Sequence, residues 1–370
     1  MGQSLLSIFR ATVCPASDEG GSGFCGTHFA QQSIGFMSAD PADRLHSESI
    51  VIDAVCPLTD RVEYLEWYRG GGVTALGPTV GSTEGARTSL ECIAGWHRLL
   101  RERDDLMLIH RAADIEQAKR SGRLGIFMHL QGTDPIEDNL DFVDLYKALG
   151  VGIVQLTYNV KNRVGDGCEE RTDCGLSRFG QRLVERLNQA RVIVDCTHTG
   201  SRTSLEAIEL SSAPVVLSHS NPASVHPSPR NASNDLIDAI ARSGGLIGIC
   251  GFPGMISDKS TPSLDDFIDH VDAIVERAGI NHVGLGIDYY TGQAGVASDE
   301  EAMRGYDQAV RSGIWGSAYP PPPHRYPSGI ETPQTLRKLT ARLLERGYAL
   351  DDVRKVLGQN WLRVMRAVWG

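Results

Sequence analysis

A parallel (β/α)8 barrel, the TIM-barrel form of the α/β class, is the fold this sequence predicts. Two observations carry the prediction. Beyond Asp40, eight short runs rich in β-branched residues follow one another, and amphipathic segments of helical period lie between them. Each strand then returns to the sheet by way of a helix, the order that makes neighbouring strands parallel and, repeated eight times, closes a barrel. A doubly wound open sheet is the alternative, but no GxGxxG follows the first run, which weakens its dinucleotide-binding form.

Residues 1–40 are rich in Gly, Ser and Cys without a sustained period and read as an extension that packs loosely or covers a barrel end. Residues 41–370 read as one barrel domain. Its strands are SIVIDAV (49–55), GVTALGPTV (72–80), GIFMHLQG (125–132), GVGIVQLTYN (150–159), VIVDCTH (192–198), PVVLSHS (214–220), GLIGICGF (245–252) and HVGLGIDY (282–289). Helical segments at 140–149, 180–189, 203–210, 234–242 and 264–278 follow strands in turn. YPPPPHRYP (319–327) is a loop, and helices at 333–346 and 349–369 complete the outer layer.

Composition narrows the function. A formal net charge of -10 across 370 residues opposes nucleic-acid binding, which depends on Lys and Arg facing phosphates. The apolar runs are far shorter than the roughly 20 residues that span a bilayer, and the first residues lack a secretory pattern, so a soluble cytoplasmic protein is expected. Eight cysteines without CxxC pairs give no zinc ribbon and no disulfide framework. Small-molecule chemistry remains, with a homodimer compatible with it.

In a barrel of this kind the chemistry gathers at the carboxyl ends of the strands. Four runs place polar side chains there: His198 ends VIVDCTH, His219 lies in PVVLSHS, Asp288 in GLGID and Gln131 in HLQG. A lone strand-end His is more often a hydrogen-bonded scaffold residue than a ligand. Two of them on neighbouring strands, about 4.8 Å apart, can converge on one ion, so His198 and His219 form a candidate metal pair. His110, His129 and His282 read as structural, and His46, His226 and His324 as solvent-facing.

The ordered stretches LTYNVKN, GLSRFGQRLVERLN, VDCTHTG, PVVLSHSNP, PSPRNASNDLIDAIARSGGLIGI, NHVGLGIDYYTG and VLGQNWLRVMRAVW resemble the landmarks of the renal (membrane) dipeptidase family of metallopeptidases, over about residues 48–370. The resemblance implies that His198 and His219 bind one metal, that Asp288 sits at a second metal and manages the attacking water, and that Arg230 holds a substrate carboxylate in a bidentate fork. A surface ion pair is the ordinary fate of a loop Arg.

The chain departs from the family at several of these positions. Val55 and Pro57 stand where the family carries a first-strand His-x-Asp pair, and Gln131 stands where a Glu bridges two metals. Asp53 shares the strand face with Val55 but lies two residues deeper, about 6.6 Å at about 3.3 Å per residue, and is a poor substitute. Cys56 points to the opposite face and reads as a buried hydrophobe. Tyr158 replaces a substrate-contacting His, keeping a hydrogen-bond donor but no imidazolium. The losses fall on one subsite, so one divalent ion per chain, zinc by ligand type, is expected on His198 and His219 with Gln131 and Asp288 beside them.

Three functions compete. The first is a mononuclear hydrolase of dipeptides or N-acyl amino acids, with Asp288 as base. The second is a non-hydrolytic enzyme on a small carboxylate, a tautomerase, epimerase or decarboxylase, using Tyr158, Asp288 and Cys250 as acid–base groups. The third is a catalytically silent binding protein that keeps the Arg230 clamp.

Overall fold

Eight parallel strands form a closed ring in the computed structural model, which describes residues 40–370. The extension expected at the amino end lies, up to residue 39, outside the described residues. Strand β1 (Ile52–Asp53) pairs with β2 (Ala75–Leu76), and β2 pairs with β5 (Leu124–Ile126). Both β2 and β5 bend and run on as β3 (Thr79–Gly81) and β6 (Met128–Leu130), which pair with each other, so each couple is one barrel strand. The ring continues through β7 (Val151–Gln155), β8 (Ile193–Asp195) and β9 (Val215–Val216). A parallel bridge between Leu217 and Ile247 joins β9 to β10 (Ile247–Ile249), and β11 (Val283–Leu285) pairs with both β10 and β1 to close it. All eight expected runs thus become barrel strands.

One strand was not legible. Leu106–Leu108 (β4) lies against the lower half of β5, with Leu106 opposite Leu124, on the side that β7 occupies higher up. Its Leu and Met residues have helical rather than strand preference, and pairing with β5 overrides it.

Glycines set the bends of the ring. A Cβ on Gly77, between β2 and β3, would stand 2.2 Å from the Ala54 carbonyl oxygen, and one on Gly286, just past β11, 1.8 Å from that of Ser218. Only a bare Cα lets these chains pass.

The surrounding helices form for local reasons. In Asn234–Arg242, Ser233 caps the amino end by accepting from Leu236 N at 3.3 Å, and Leu236, Ile237, Ala239 and Ile240 turn inward. Leu264–Ala278 begins with a reciprocal Ser263–Asp266 capping box. The helix Asn360–Trp369 seals the amino-terminal mouth of the barrel: Trp361 Nε1 donates to Leu285 O at 2.8 Å and Trp369 Nε1 to Gly152 O at 3.1 Å. Ile52, Phe127, Ile153 and Ile193 pack against it as a lower core, leaving the carboxyl ends of the strands open for chemistry. No helix among the described residues is long and apolar enough to cross a membrane.

Two histidines expected in solvent are buried instead. His46 bridges Thr340 Oγ1 at 2.7 Å and the Gly71 carbonyl at 2.8 Å, tying the first helix to the chain around it. His324 packs 4.9 Å from the Phe252 ring and contacts the Pro320 carbonyl at 2.8 Å. Both satisfy their ring nitrogens inside the protein, which a helical or loop setting does not reveal.

Candidate active site

At the carboxyl ends of the strands lies a cleft of about 110 Å³. Gln131, Tyr158 and Asp288 line it together with Asp60, Trp315 and Tyr319. His198, His219 and Arg230 lie behind that lining. Tyr158 stacks on His198 with ring centroids 4.1 Å apart, and Tyr319, whose hydroxyl lies 3.4 Å from His198 Nδ1, accepts from Arg230 Nε at 3.1 Å. The six residues singled out in the sequence therefore form one front row and one back row.

The back row is organised by hydrogen bonds whose direction can be worked out. Asp195, fully buried at the end of β8, accepts from Thr197 N at 2.9 Å, Thr197 Oγ1 at 2.6 Å, Ser218 N at 3.0 Å and Ser218 Oγ at 2.5 Å. Burial opposes its charge, but His129, 3.2 Å away without hydrogen-bond alignment, and these donors hold its carboxyl well below the usual range. Ser218 spends its proton on that carboxylate, so at 2.8 Å it accepts from His219 Nδ1. On the other side, Asn159 gives its amide protons to Ile314 O at 2.9 Å and the Tyr319 hydroxyl at 3.0 Å, which turns its Oδ1 to His198 Nδ1 at 2.6 Å.

Both Nδ1 atoms are therefore donors, and both Nε2 lone pairs face each other 2.8 Å apart. Two lone pairs at that distance repel unless a cation lies between them. A proton is disfavoured, because burial first and the Arg230 charge second push both imidazoles well below their ordinary pKa. A divalent metal is the cation this donor pair fits, since neutral imidazole Nε2 is its usual ligand and outer hydrogen bonds fix the tautomer in this way. Among the described residues the pair has no further His, Cys, Asp or Glu grouped with it. Val55 is buried and apolar, Pro57 lines the cleft, and among the described residues no three His, Cys, Asp or Glu are grouped to hold an ion.

Asp53 is also no ligand. Its Oδ1 accepts from Ile287 N at 2.9 Å, Oδ2 has no partner, and burial raises its pKa to about 7. Cys56 is buried, with its thiol pushed up by burial, as a small hydrophobe would be.

Asp288 has its pKa raised to about 7 by burial and by the charge of Asp53, while Arg230 and Gln131 work the other way. Gln131 Nε2 is buried without a partner at full hydrogen-bonding geometry, so its pull on Asp288 is weak. Tyr158 is pushed up to about 12 by burial and stays protonated. Arg230, 3% exposed, sits in the loop after β9, where Ser220 Oγ donates to its carbonyl at 2.9 Å. Its side chain donates to the Tyr319 hydroxyl and, at 3.3 Å, to the His219 carbonyl, and among the described residues no carboxylate forms an ion pair with it.

Asn159, His198 and Asp288 all hold left-handed backbones, with φ of 58°, 59° and 63°. Such residues cost about 1–3 kcal/mol each and gather where function requires the geometry. Asn159, Asp195, Ser218 and Tyr319 were not singled out in the sequence. A charge inside the apolar run VIVDCTH was the available signal for Asp195. Tyr319 arrives on a Pro-rich loop and gave none.

The sequence profile described as membrane dipeptidase (peptidase family M19) matches residues 42–309 and 316–369. Dipeptidase verJ of Clonostachys rogersoniana is 29% identical over 288 residues, 77% of this chain and 66% of that protein. Dipeptidase tcpJ of Claviceps purpurea is 26% identical over 268 residues, 72% of this chain and 56% of that protein, so the chain spans two thirds or less of both relatives. An amidohydrolase structure from Pseudomonas aeruginosa shares 35% identity at a TM-score of 0.82, covering 89% of this chain and 99% of that one. The fold alone is shared, at 19% identity and a TM-score of 0.73, with a Rhodobacter sphaeroides metallo peptidase liganded with a phosphinate mimic of L-Ala-D-Ala, over 87% of this chain and 100% of that one. With its motifs in order, its barrel closed and the profile matched along nearly all the described residues, this chain belongs to the membrane dipeptidase family, peptidase family M19.

Proposed function

We propose that this chain is a mononuclear metal-dependent hydrolase of dipeptides or N-acyl amino acids that end in a free carboxylate. The observation that carries the reading is the opposed pair of Nε2 lone pairs on His198 and His219, 2.8 Å apart and poorly protonated. One divalent cation, zinc by the preference of imidazole ligands, would be held there, with Gln131 and Asp288 as oxygen donors nearby. Bound, it supplies Lewis acidity to the scissile carbonyl and to water.

The protein's own groups do the rest. Arg230, a buried cation without a carboxylate ion pair, pairs with the substrate carboxylate once the Tyr158 ring gives way. Asp288, near pH 7 in its titration, takes the proton of the attacking water as the C–O bond forms and returns it to the leaving amine as the C–N bond breaks. Tyr158, protonated at neutral pH, donates to the developing oxyanion. Cys250 is buried with its thiol pushed up by burial, which removes it as an acid–base group.

The test is elemental analysis of protein purified without chelator, beside cleavage of simple dipeptides. About one zinc per chain is expected, with metal and cleavage both lost in His198→Ala. Cleavage that survives this substitution refutes the reading.

A further inference from the structure

A third apolar cluster stands over the cleft, apart from the two cores of the barrel. It is built on Phe252, Ala318 and Tyr319, with Tyr290, Tyr306 and Trp315 packed against it. Trp315 is its centre. Its ring stacks on Tyr319 with centroids 4.6 Å apart and planes 6° from parallel, and it meets Phe252, Tyr290 and Tyr306 at 6.3, 6.3 and 6.2 Å. Phe252, Tyr290, Tyr306, Trp315 and Tyr319 all line the cleft. Trp315 itself falls between the two matched segments of the family profile.

The charges around the cleft fix which way a substrate lies. Among the described residues no Lys, Arg or His lines it, whereas the acids Asp60, Asp288 and Glu301 do. Arg230 lies across the ring, beyond β9, and touches the aromatic wall through Tyr319. A zwitterion therefore sets its carboxylate at Arg230 and its ammonium among the acidic side chains of the cleft. The side chain nearest the carboxylate then meets the ring stacked on Tyr319.

We propose that the Trp315 wall is a specificity pocket for an aromatic side chain on the carboxyl-terminal residue of the substrate. This rests on the hydrolase reading only for the identity of the substrate backbone. Stacked or edge-on rings gain attraction beyond their buried area, which an aliphatic side chain does not share.

Binding of uncleavable reduced-amide pseudodipeptides, measured by calorimetry on the full chain as purified, tests the pocket without turnover. The Ala-Phe analogue is expected to bind at least tenfold more tightly than the Ala-Ala and Phe-Ala analogues. In Trp315→Ala, and separately in Tyr306→Ala, that advantage should fall below about threefold, with Trp315→Phe keeping most of it. Equal binding of the three analogues, no binding by any, or an advantage that persists in both alanine variants overturns the proposal. Preferential binding of the Ala-Phe analogue, together with no cleavage of Ala-Phe itself, would sink the hydrolase reading while supporting the pocket.

Discussion

Arg230→Met separates a residue kept for substrate from one kept for the fold, because the two roles predict opposite changes in stability. Arg230 is 3% exposed and no carboxylate among the described residues pairs with it, so its desolvation is expected to cost the folded protein several kcal/mol. Against that cost stand its two hydrogen bonds, to the Tyr319 hydroxyl and the His219 carbonyl, worth about 1 kcal/mol each. Replacing it by an unbranched apolar side chain should leave the metal-free protein more stable by about 1–3 kcal/mol, a rise of roughly 2–4 °C in Tm for a chain of this size. Removing the partner of a buried substrate carboxylate costs about 2–5 kcal/mol, a fall of roughly 30- to 5000-fold in kcat/KM. Scanning calorimetry in chelator gives the first number. Cleavage of a dipeptide beside its carboxyl-terminal amide gives the second, with the wild-type preference for the acid falling to about one in the variant. A variant that is less stable and keeps the preference would refute the argument and make Arg230 a scaffold residue.

Ser218→Ala cuts the link from Asp195 to His219 Nδ1 and frees the tautomer, so zinc affinity in a competition titration should fall about 10- to 100-fold. Asp288→Asn should lower kcat about 10²- to 10⁴-fold and abolish the acid limb expected of the wild type as Asp288 is protonated; an unchanged profile would exclude it as the base. Asp53 has its folded pKa raised from 3.8 to about 7, so the folded state binds its proton more tightly and wild-type stability declines as pH rises through that window. Asp53→Asn lacks that decline: at pH 5 it should exceed the wild type by about 1–2 kcal/mol, and at pH 8 by up to about 4 kcal/mol in urea unfolding, at about 1.4 kcal/mol per pKa unit. The same change withdraws a charge that raises Asp288, so the acid limb of the rate profile should move to lower pH.

The barrel was readable because parallel strands buried on both faces are written as continuous β-branched runs, and Val151–Gln155 or Ile193–Asp195 leave no other reading once helices separate them. β4 escaped because Leu and Met declare no strand, and only the vacant flank of β5 selects it. In the site, His198, His219 and Asp288 were legible as polar groups at strand ends, where a barrel concentrates its chemistry. The state of those groups was not. Whether an imidazole presents a lone pair depends on Asn159 and Ser218, and their donor directions depend on Ile314 and Asp195, contacts that exist only in three dimensions. Tyr319 reaches Asn159 across 160 positions of sequence, beyond the range of any local pattern.

The helix that seals the lower mouth has a consequence for how the protein comes into being. The lower core closes only when Trp361 and Trp369 hydrogen-bond to Leu285 and Gly152, and β1 acquires its second neighbour only from β11. A nascent chain on the ribosome, growing at about 5–20 residues per second, thus carries an open-edged, half-walled sheet for tens of seconds before the segment that seals it exists. Its exposure to chaperones and to its own neighbours is set during those seconds, at the opposite end of the molecule from any substrate.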